Sequence, residues 1–315
     1  MTKYLVTGGA GFIGSHVVDS LVASGEQVRV VDNLSTGNAA NLIQHDPGVI
    51  EFIEADLVDP SVVADVVDGI DFVIHIAAIP SVPRSVRDPV ASHLANVDVT
   101  LLLLEAAKTA RVNRFVFASS SSVYGDSSIL PKHEQMYPNP LSPYALQKAV
   151  GEQYLRLFSS LYGLDTVALR FFNVFGPRQD PDSPYSGVIS LFTAALSDGR
   201  QPIIYGDGEQ TRDFTYVSDV VAAVVAASTA PGVSGTAINV ACGGRVSVND
   251  LFKTLRDVMG VDVDPIYQPQ RVGDVRDSQA DNTLAKQLLG FHAMVTVEEG
   301  LRRTVDWYRT SLSTG

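Results

Sequence analysis

The run Val6-Thr7-Gly8-Gly9-Ala10-Gly11-Phe12-Ile13-Gly14, between the apolar start Tyr4-Leu5 and Ser15-His16-Val17-Val18, constrains this chain more than any other segment. It reads as strand, glycine turn, helix. Gly8 allows a tight turn, Gly11 lets the backbone approach a pyrophosphate, and Gly14 lets the helix pack closely on the strand, with the phosphates at the helix N-terminus. The turn gains meaning from Val28-Arg29-Val30-Val31-Asp32, a second buried-strand run. It ends in an acid about 20 residues on, where folds of this kind hydrogen-bond an adenosine ribose. A dinucleotide site at the N-terminus is the first expectation.

Apolar runs of strand length recur through the first half: Tyr4 to Thr7, Val28 to Val31, Glu51 to Glu54, Phe72 to Ile76 and Arg114 to Ala118, with candidate crossover helices between them. That alternation predicts an α/β fold with a parallel, doubly wound sheet covered on both faces. Ligands collect beyond the carboxyl ends of such strands, and the unusual residues fall there: Gly8 to Gly14, Asp32, Asp56-Leu57, Ala77-Ala78 and Ser119-Ser120. From about Gly176 the chain turns rich in Pro, Gly, Asp and Tyr, which reads as a smaller, less regular substrate domain. Ser311 to Gly315 reads as a disordered end.

The 315 residues are 45% hydrophobic, enough for one large domain or two closely joined ones. A net charge of -12 argues against a nucleic-acid or anionic-membrane partner, so an anionic substrate must meet local arginines. The single cysteine, Cys242, excludes an internal disulfide framework, and the six histidines show no metal-ligand spacing, so no metal is expected. The longest apolar runs, such as Val220 to Ala227, are too short to span a bilayer, and a cytoplasmic enzyme is the expectation.

Tyr144-Ala145-Leu146-Gln147-Lys148 sets a phenol and an ammonium four residues apart, on one face of a helix. A nearby cation favours the phenolate, so such a tyrosine can act as a general base. Ser119 and Ser120 bring hydroxyls to the same cleft from the end of a strand. Serine, tyrosine and lysine beside a dinucleotide suggest oxidation of a secondary alcohol.

With Asp32-Asn33-Leu34, His75-Ile76-Ala77-Ala78, Val123-Tyr124-Gly125, Arg170-Phe171-Phe172-Asn173, Tyr205-Gly206-Asp207-Gly208, Arg212-Asp213-Phe214 and Arg271-Val272-Gly273-Asp274 in the same order, the chain resembles the extended short-chain dehydrogenase/reductase family over nearly its whole length. Within that family it is most similar to the nucleotide-sugar 4-epimerases. The resemblance implies a Rossmann-like NAD-binding domain over 1–173, with a returning segment near 215–242, and a smaller mixed α/β domain over 174–315 for a UDP-sugar. It implies that Gly8, Gly11, Phe12, Ile13 and Gly14 cradle NAD, Asp32 and Asn33 hold its adenosine ribose, Asp56 and Leu57 flank the adenine, and Ala77 and Phe171 line the cleft. A carboxylate at Asp32 would repel a 2′-phosphate, which favours NAD over NADP. Tyr144, directly or through Ser120, would take the proton from the sugar 4-hydroxyl, while Lys148 holds the nicotinamide ribose and lowers the Tyr144 pKa. Arg212 and Arg271 match the family's diphosphate-binding arginines, Asn173 the residue beneath the phosphates, Asp274 a uridine-ribose acceptor and Tyr205 a residue near the uracil.

Related dehydratases carry an Asp-Glu pair just before the Val-Tyr-Gly motif, and related decarboxylases a Glu; this chain has Ser121 and Ser122. Without those acids, elimination of water has no evident catalyst. Seven residues after Arg271, epimerases specific for UDP-glucose have a bulky tyrosine, whereas this chain has Ser278. A small residue leaves room for a 2-acetamido group. Ser81 to Ser85 and Pro184 to Ile189, which include Val188, also resemble epimerases of N-acetylhexosamines. UDP-GlcNAc and UDP-GalNAc are the expected substrates, with UDP-Glc and UDP-Gal in addition. The alternatives are a UDP-glucose 4-epimerase with little activity on N-acetylated sugars, or a UDP-glucuronate 4-epimerase with Arg178 or Arg84 as the carboxylate's cation. Apolar stripes over Val90 to Ala110 and Tyr144 to Tyr162 suit the homodimeric helix pairing of such relatives.

Overall fold

In the computed structural model, which describes residues 1–46, 48–180, 187–270 and 275–312, seven strands run parallel. They are β1 (Lys3–Thr7), β2 (Gln27–Asp32), β3 (Ile50–Glu54), β4 (Phe72–His75), β5 (Arg114–Ser120), β6 (Thr166–Phe171) and β7 (Thr236–Val240). Their order is β7-β6-β5-β4-β1-β2-β3, so the direction of winding reverses between β1 and β4. Strands buried on both faces need unbroken apolar runs, which is why β1, β2, β4 and β5 were legible; β3, at the sheet edge, alternates instead. Alternation sends Tyr4 and Val6 to one core and Leu5 to the other.

The main helices are α1 (Phe12–Ala23), α2 (Pro60–Val67), α3 (Val99–Ala110), α4 (Pro143–Tyr162), α5 (Val188–Ser197), α6 (Val217–Thr229), α7 (Val248–Met259) and α8 (Val297–Leu312). One core joins Val17 and Leu21 of α1 to Val220 and Val224 of α6; the opposite core gathers Val63 of α2, Leu103 and Leu104 of α3, and Leu155 and Phe158 of α4. Local chemistry sets the ends of α4. Ser142 accepts from Ala145 N at 3.1 Å, Pro143 opens the first turn, and Gly163 closes the helix at φ 68°.

The chain between β6 and β7 adds α5 and the pair Val174–Phe175 with Thr215–Tyr216, and two of its strands pair with segments that follow β7: Thr211–Arg212 with Val246–Ser247, and Ile203–Tyr205 with Ile266–Gln268. Phe192 of α5 meets Phe252 of α7 edge-on at 6.0 Å. The segment then returns as β7 beside β6.

Two readings change. The helix α8 continues through Ser311 to Leu312, where the sequence suggested a disordered end. Pro89 to Ala110 forms a 22-residue helical stretch, with a π-turn at Leu94–Asp98, that is long and apolar enough by composition to cross a bilayer. The search for unbroken apolar runs overlooks it because Ser92, Asn96 and Thr100 interrupt it. Those three side chains are buried in the fold.

A Cβ at Gly14 would stand 2.1 Å from Gly8 O and 2.8 Å from Gly8 C. Both atoms are backbone and cannot swing away, so the close approach is to the turn itself. Gly14→Ala is expected to cost about 1–3 kcal/mol through overpacking. It should lower the midpoint of thermal unfolding by several degrees; an unchanged midpoint would contradict the packing described.

Candidate active site

The turn after β1 and the loop after β4 meet at the reversal of the sheet. Gly8, at φ 70°, lies so near Ala77 that a Cβ would come within 2.8 Å of Ala77 N and Cα. Ala77 N donates to Thr7 O at 3.0 Å, and Thr7 Oγ1 bonds His75 Nδ1 at 2.7 Å. Burial pushes the His75 pKa down to about 3, so the imidazole is neutral and serves as a structural link to Thr100. Among the described residues no side chain caps α1, whose first turn starts at Gly11 beside this glycine cradle. Uncapped amides at a helix N-terminus suit a phosphate.

Asp32 accepts from Ala10 N at 3.0 Å and Leu34 N at 2.9 Å, and burial raises its pKa. Next to it, Asn33 Nδ2 donates to Asp56 Oδ2 at 3.1 Å, so the adenosine-side residues form one rim. The Leu57 side chain lies in the core. Arg29 is spent elsewhere, on Glu51 at 2.9 Å and the Val66 and Asp68 carbonyls. Glycine cradle, uncapped helix and ribose-side carboxylate together fit a dinucleotide.

Ser120 ends β5, and its Oγ accepts from Ser122 N at 3.2 Å and Ser122 Oγ at 3.0 Å across the turn Ser121–Tyr124. The helix α4 starts opposite, with Tyr144 N donating to Ser85 Oγ at 3.1 Å. The Ser120 hydroxyl bonds to the Tyr144 phenol and lowers its pKa, but burial is the larger effect and pushes it up to about 12. Lys148 Nζ donates to Ala118 O at 2.7 Å and stands 6.0 Å from the centre of the Tyr144 ring. Burial pushes Lys148 down to about 7. The expected depression of the Tyr144 pKa by Lys148 is therefore not what this arrangement shows: desolvation outweighs the cation, whose nearest bond is to the strand.

Several polar residues that sequence reasoning passed over support this trio. Asn96, in the π-turn, accepts from Ile79 N at 2.7 Å and donates to Gln147 Oε1 at 2.8 Å, with Ser92 on the same oxygen. They tie the helix carrying Lys148 to the loop after β4. Glu152 takes Ser119 Oγ at 2.5 Å and both Nε and Nη2 of Arg170, at 2.9 and 2.7 Å. The available signal was a buried amide or acid on an otherwise apolar helix face.

A cavity of about 440 Å³ opens beside the strand ends and brings together Asn173, Val188, Tyr205 and Arg212. Asn173, at φ 20°, is pinned through its carbonyl by Thr215 N at 3.2 Å. Arg212 lies on a strand held by its neighbour Thr211, whose carbonyl accepts from Ser278 N at 3.1 Å. Phe171 is buried at the end of β6. Arg271 and Asp274 lie outside the described residues, as does the whole segment 181–186 before Val188.

The family model of the NAD dependent epimerase/dehydratase family matches residues 4–241. A UDP-glucose 4-epimerase of Mycolicibacterium smegmatis is 42% identical over 98% of both chains. Among solved structures, UDP-N-acetylglucosamine 4-epimerase from Methanobrevibacter ruminantium, in complex with UDP-N-acetylmuramic acid, is 41% identical over 98% of this chain and 99% of that one, with a TM-score of 0.94. The UDP-glucose 4-epimerase of Thermotoga maritima with UDP-glucose is also 41% identical, over 99% and 100%, with a TM-score of 0.94. The chain belongs to the NAD-dependent epimerase/dehydratase family. It is an isomerase of the nucleotide-sugar 4-epimerase class, and its cofactor is NAD.

Tyr144→Phe preserves ring volume and removes only the hydroxyl. It is expected to leave the unfolding midpoint within a degree or two and to lower kcat at least about 100-fold, the usual share of a general base. Full turnover by this variant would remove Tyr144 from the chemistry.

Proposed function

We propose that this enzyme interconverts UDP-GlcNAc and UDP-GalNAc, and also UDP-Glc and UDP-Gal, through a 4-keto sugar. When bound, NAD supplies the hydride acceptor for C4 and gives the same hydride back. Gly8 to Gly14 hold its phosphates and Asp32 its adenosine ribose. The 4-hydroxyl proton leaves through the Ser120 hydroxyl to the Tyr144 phenolate as the carbonyl forms, and the same path returns it once the sugar has turned over. Burial alone would make the phenol too weak an acid to work at neutral pH. Lys148 Nζ, 6.0 Å from the centre of the Tyr144 ring in the same buried pocket, favours the phenolate only as an ammonium, so Lys148 must be charged during proton transfer. Arg212 and Asn173 hold the diphosphate end, which the acidic surface elsewhere would repel.

The observation that carries the acetamido assignment is the place of Ser278. Its backbone N bonds to the carbonyl of Thr211, the neighbour of the cavity residue Arg212, which supports a small side chain close to the substrate cavity. The N-acetylated substrate of the M. ruminantium relative supports the same reading. Against a glucuronate, Arg178 is already paired with Asp19 on α1 at 2.8 Å. We further propose a cytoplasmic homodimer. Leu146, Leu157 and Leu161 share one exposed face of α4, with Val86 and Val90 exposed on the neighbouring helical segment.

Product analysis with UDP-Glc, UDP-GlcNAc and UDP-GlcA in parallel should give UDP-Gal and UDP-GalNAc but no UDP-GalA. Ser278→Tyr should spare UDP-Gal turnover and slow UDP-GalNAc turnover by about tenfold or more, the usual cost of a crowded pocket. Equal effects on both sugars would remove Ser278 as the gate. In sedimentation velocity the parent should run as a dimer and the double variant Leu157→Glu/Leu161→Glu as a monomer; a monomeric parent would overturn that assembly.

A further inference from the structure

Lys148 has its burial and its charge in conflict, and one feature of the fold bears on that conflict. Glu152 lies one turn further along α4, and its side chain is only 4% exposed. Arg170 of β6, 5% exposed, grips it with two bonds, and Ser119 of β5 adds a third. Strand register sets Ser119 directly opposite Arg170, so both reach the carboxylate from one level of the sheet. Ser119 also sits between the two functional positions of β5: Ala118, whose carbonyl takes Lys148 Nζ, and Ser120, which meets Tyr144. Arg170 is fixed from its far side by Tyr124 OH at 2.8 Å, and Tyr124 in turn by Asn239 at 2.6 Å. A buried ion pair adds little stability compared with apolar residues of the same volume, so stability alone does not account for it.

We propose that Glu152 is a positioning residue for the epimerase reaction, one that keeps Lys148 an ammonium beside Tyr144 and holds the Ala118–Ser120 strand end against α4. The inference rests on the assignment of Tyr144 and Lys148 above. The groups facing Lys148 are Tyr144 and Glu152 on its own helix, and the Phe117 ring, the Ala118 carbonyl and neutral His75 from the sheet. Among the described residues Glu152 is the one anion in that set, and it raises the Lys148 pKa against burial. Removing its charge must make Lys148 lose its proton at lower pH.

The test compares the parent with Glu152→Gln and with Glu152→Gln/Arg170→Met, which leaves no unpaired buried charge if the single variant fails to fold. Thermal unfolding and NAD content establish that each variant is folded and loaded. The Lys148 Nζ titration is followed by NMR with labelled lysine, assigned by loss of the signal in Lys148→Met, and the pH profile of kcat is measured alongside. The Lys148 midpoint and the alkaline limb of kcat should both move to lower pH by about one unit, the usual effect of a neighbouring charge. KM for the UDP-sugar should stay within about twofold. A folded, loaded double variant with an unmoved midpoint and limb overturns the proposal, as does failure of both variants to fold, which would assign the pair to structure alone. Failure of the underlying assignment is read separately, as full turnover by Tyr144→Phe.

Discussion

The backbone of Gly8 lies against that of Ala77 at a distance no side chain tolerates, and this contact closes the point where the sheet reverses its winding. Gly14 then presses on Gly8, so the turn is squeezed between the loop after β4 and the start of α1. The residues proposed to bind the dinucleotide are placed from there. The first turn of α1 faces the cleft, and Asp32 reaches back to Ala10 N and fixes the loop after β2. Thr7 and His75 carry the same geometry across to Thr100, next to the π-turn that holds Asn96. The cofactor cleft and the chemical site are two ends of one packed arrangement.

At the chemical end the fold does something the residue types alone do not announce. Burial weakens Tyr144 as an acid and weakens Lys148 as a base, so each is shifted away from the ionic form that proton transfer uses. The two shifts oppose one another only when both groups share one low-dielectric pocket, where a cation and a phenolate stabilise each other far more than in water. The pocket wall is the end of β5. Its three successive residues accept from Lys148, bond to Glu152 and meet Tyr144. A small displacement of this strand end would disturb all three contacts together.

Strands β1, β2, β4 and β5 were legible because strands buried on both faces are apolar throughout, whereas β6 and β7 of the same sheet were not read from the sequence. The convergence of Ser120, Tyr144 and Lys148 was legible because a spacing of four on a helix is local, and because a hydroxyl at a strand end lies at the edge of the cleft. Glu152 and Arg170 were not, because their meeting depends on the register Ser119 to Arg170 between two strands, which no local pattern encodes. Asn96 hid inside an apolar helix for the same reason: its partners, Ile79 and Gln147, are far away in sequence. The pKa of Tyr144 was misjudged because a sequence shows that a cation is near but not how deeply the pair is buried. Nothing in the spacing chose between Arg178 and Arg84 as a carboxylate's cation; in the fold Arg178 pairs with Asp19.

In the proposed reaction the hydride leaves C4 and returns to the same carbon within one binding event. The direct measurement is turnover of UDP-GlcNAc carrying deuterium at C4, with no cofactor added to the purified enzyme. The UDP-GalNAc formed should retain the deuterium at C4, with none in the solvent and no free reduced cofactor. Deuterium washed into water, or a stoichiometric requirement for added NADH, would contradict it.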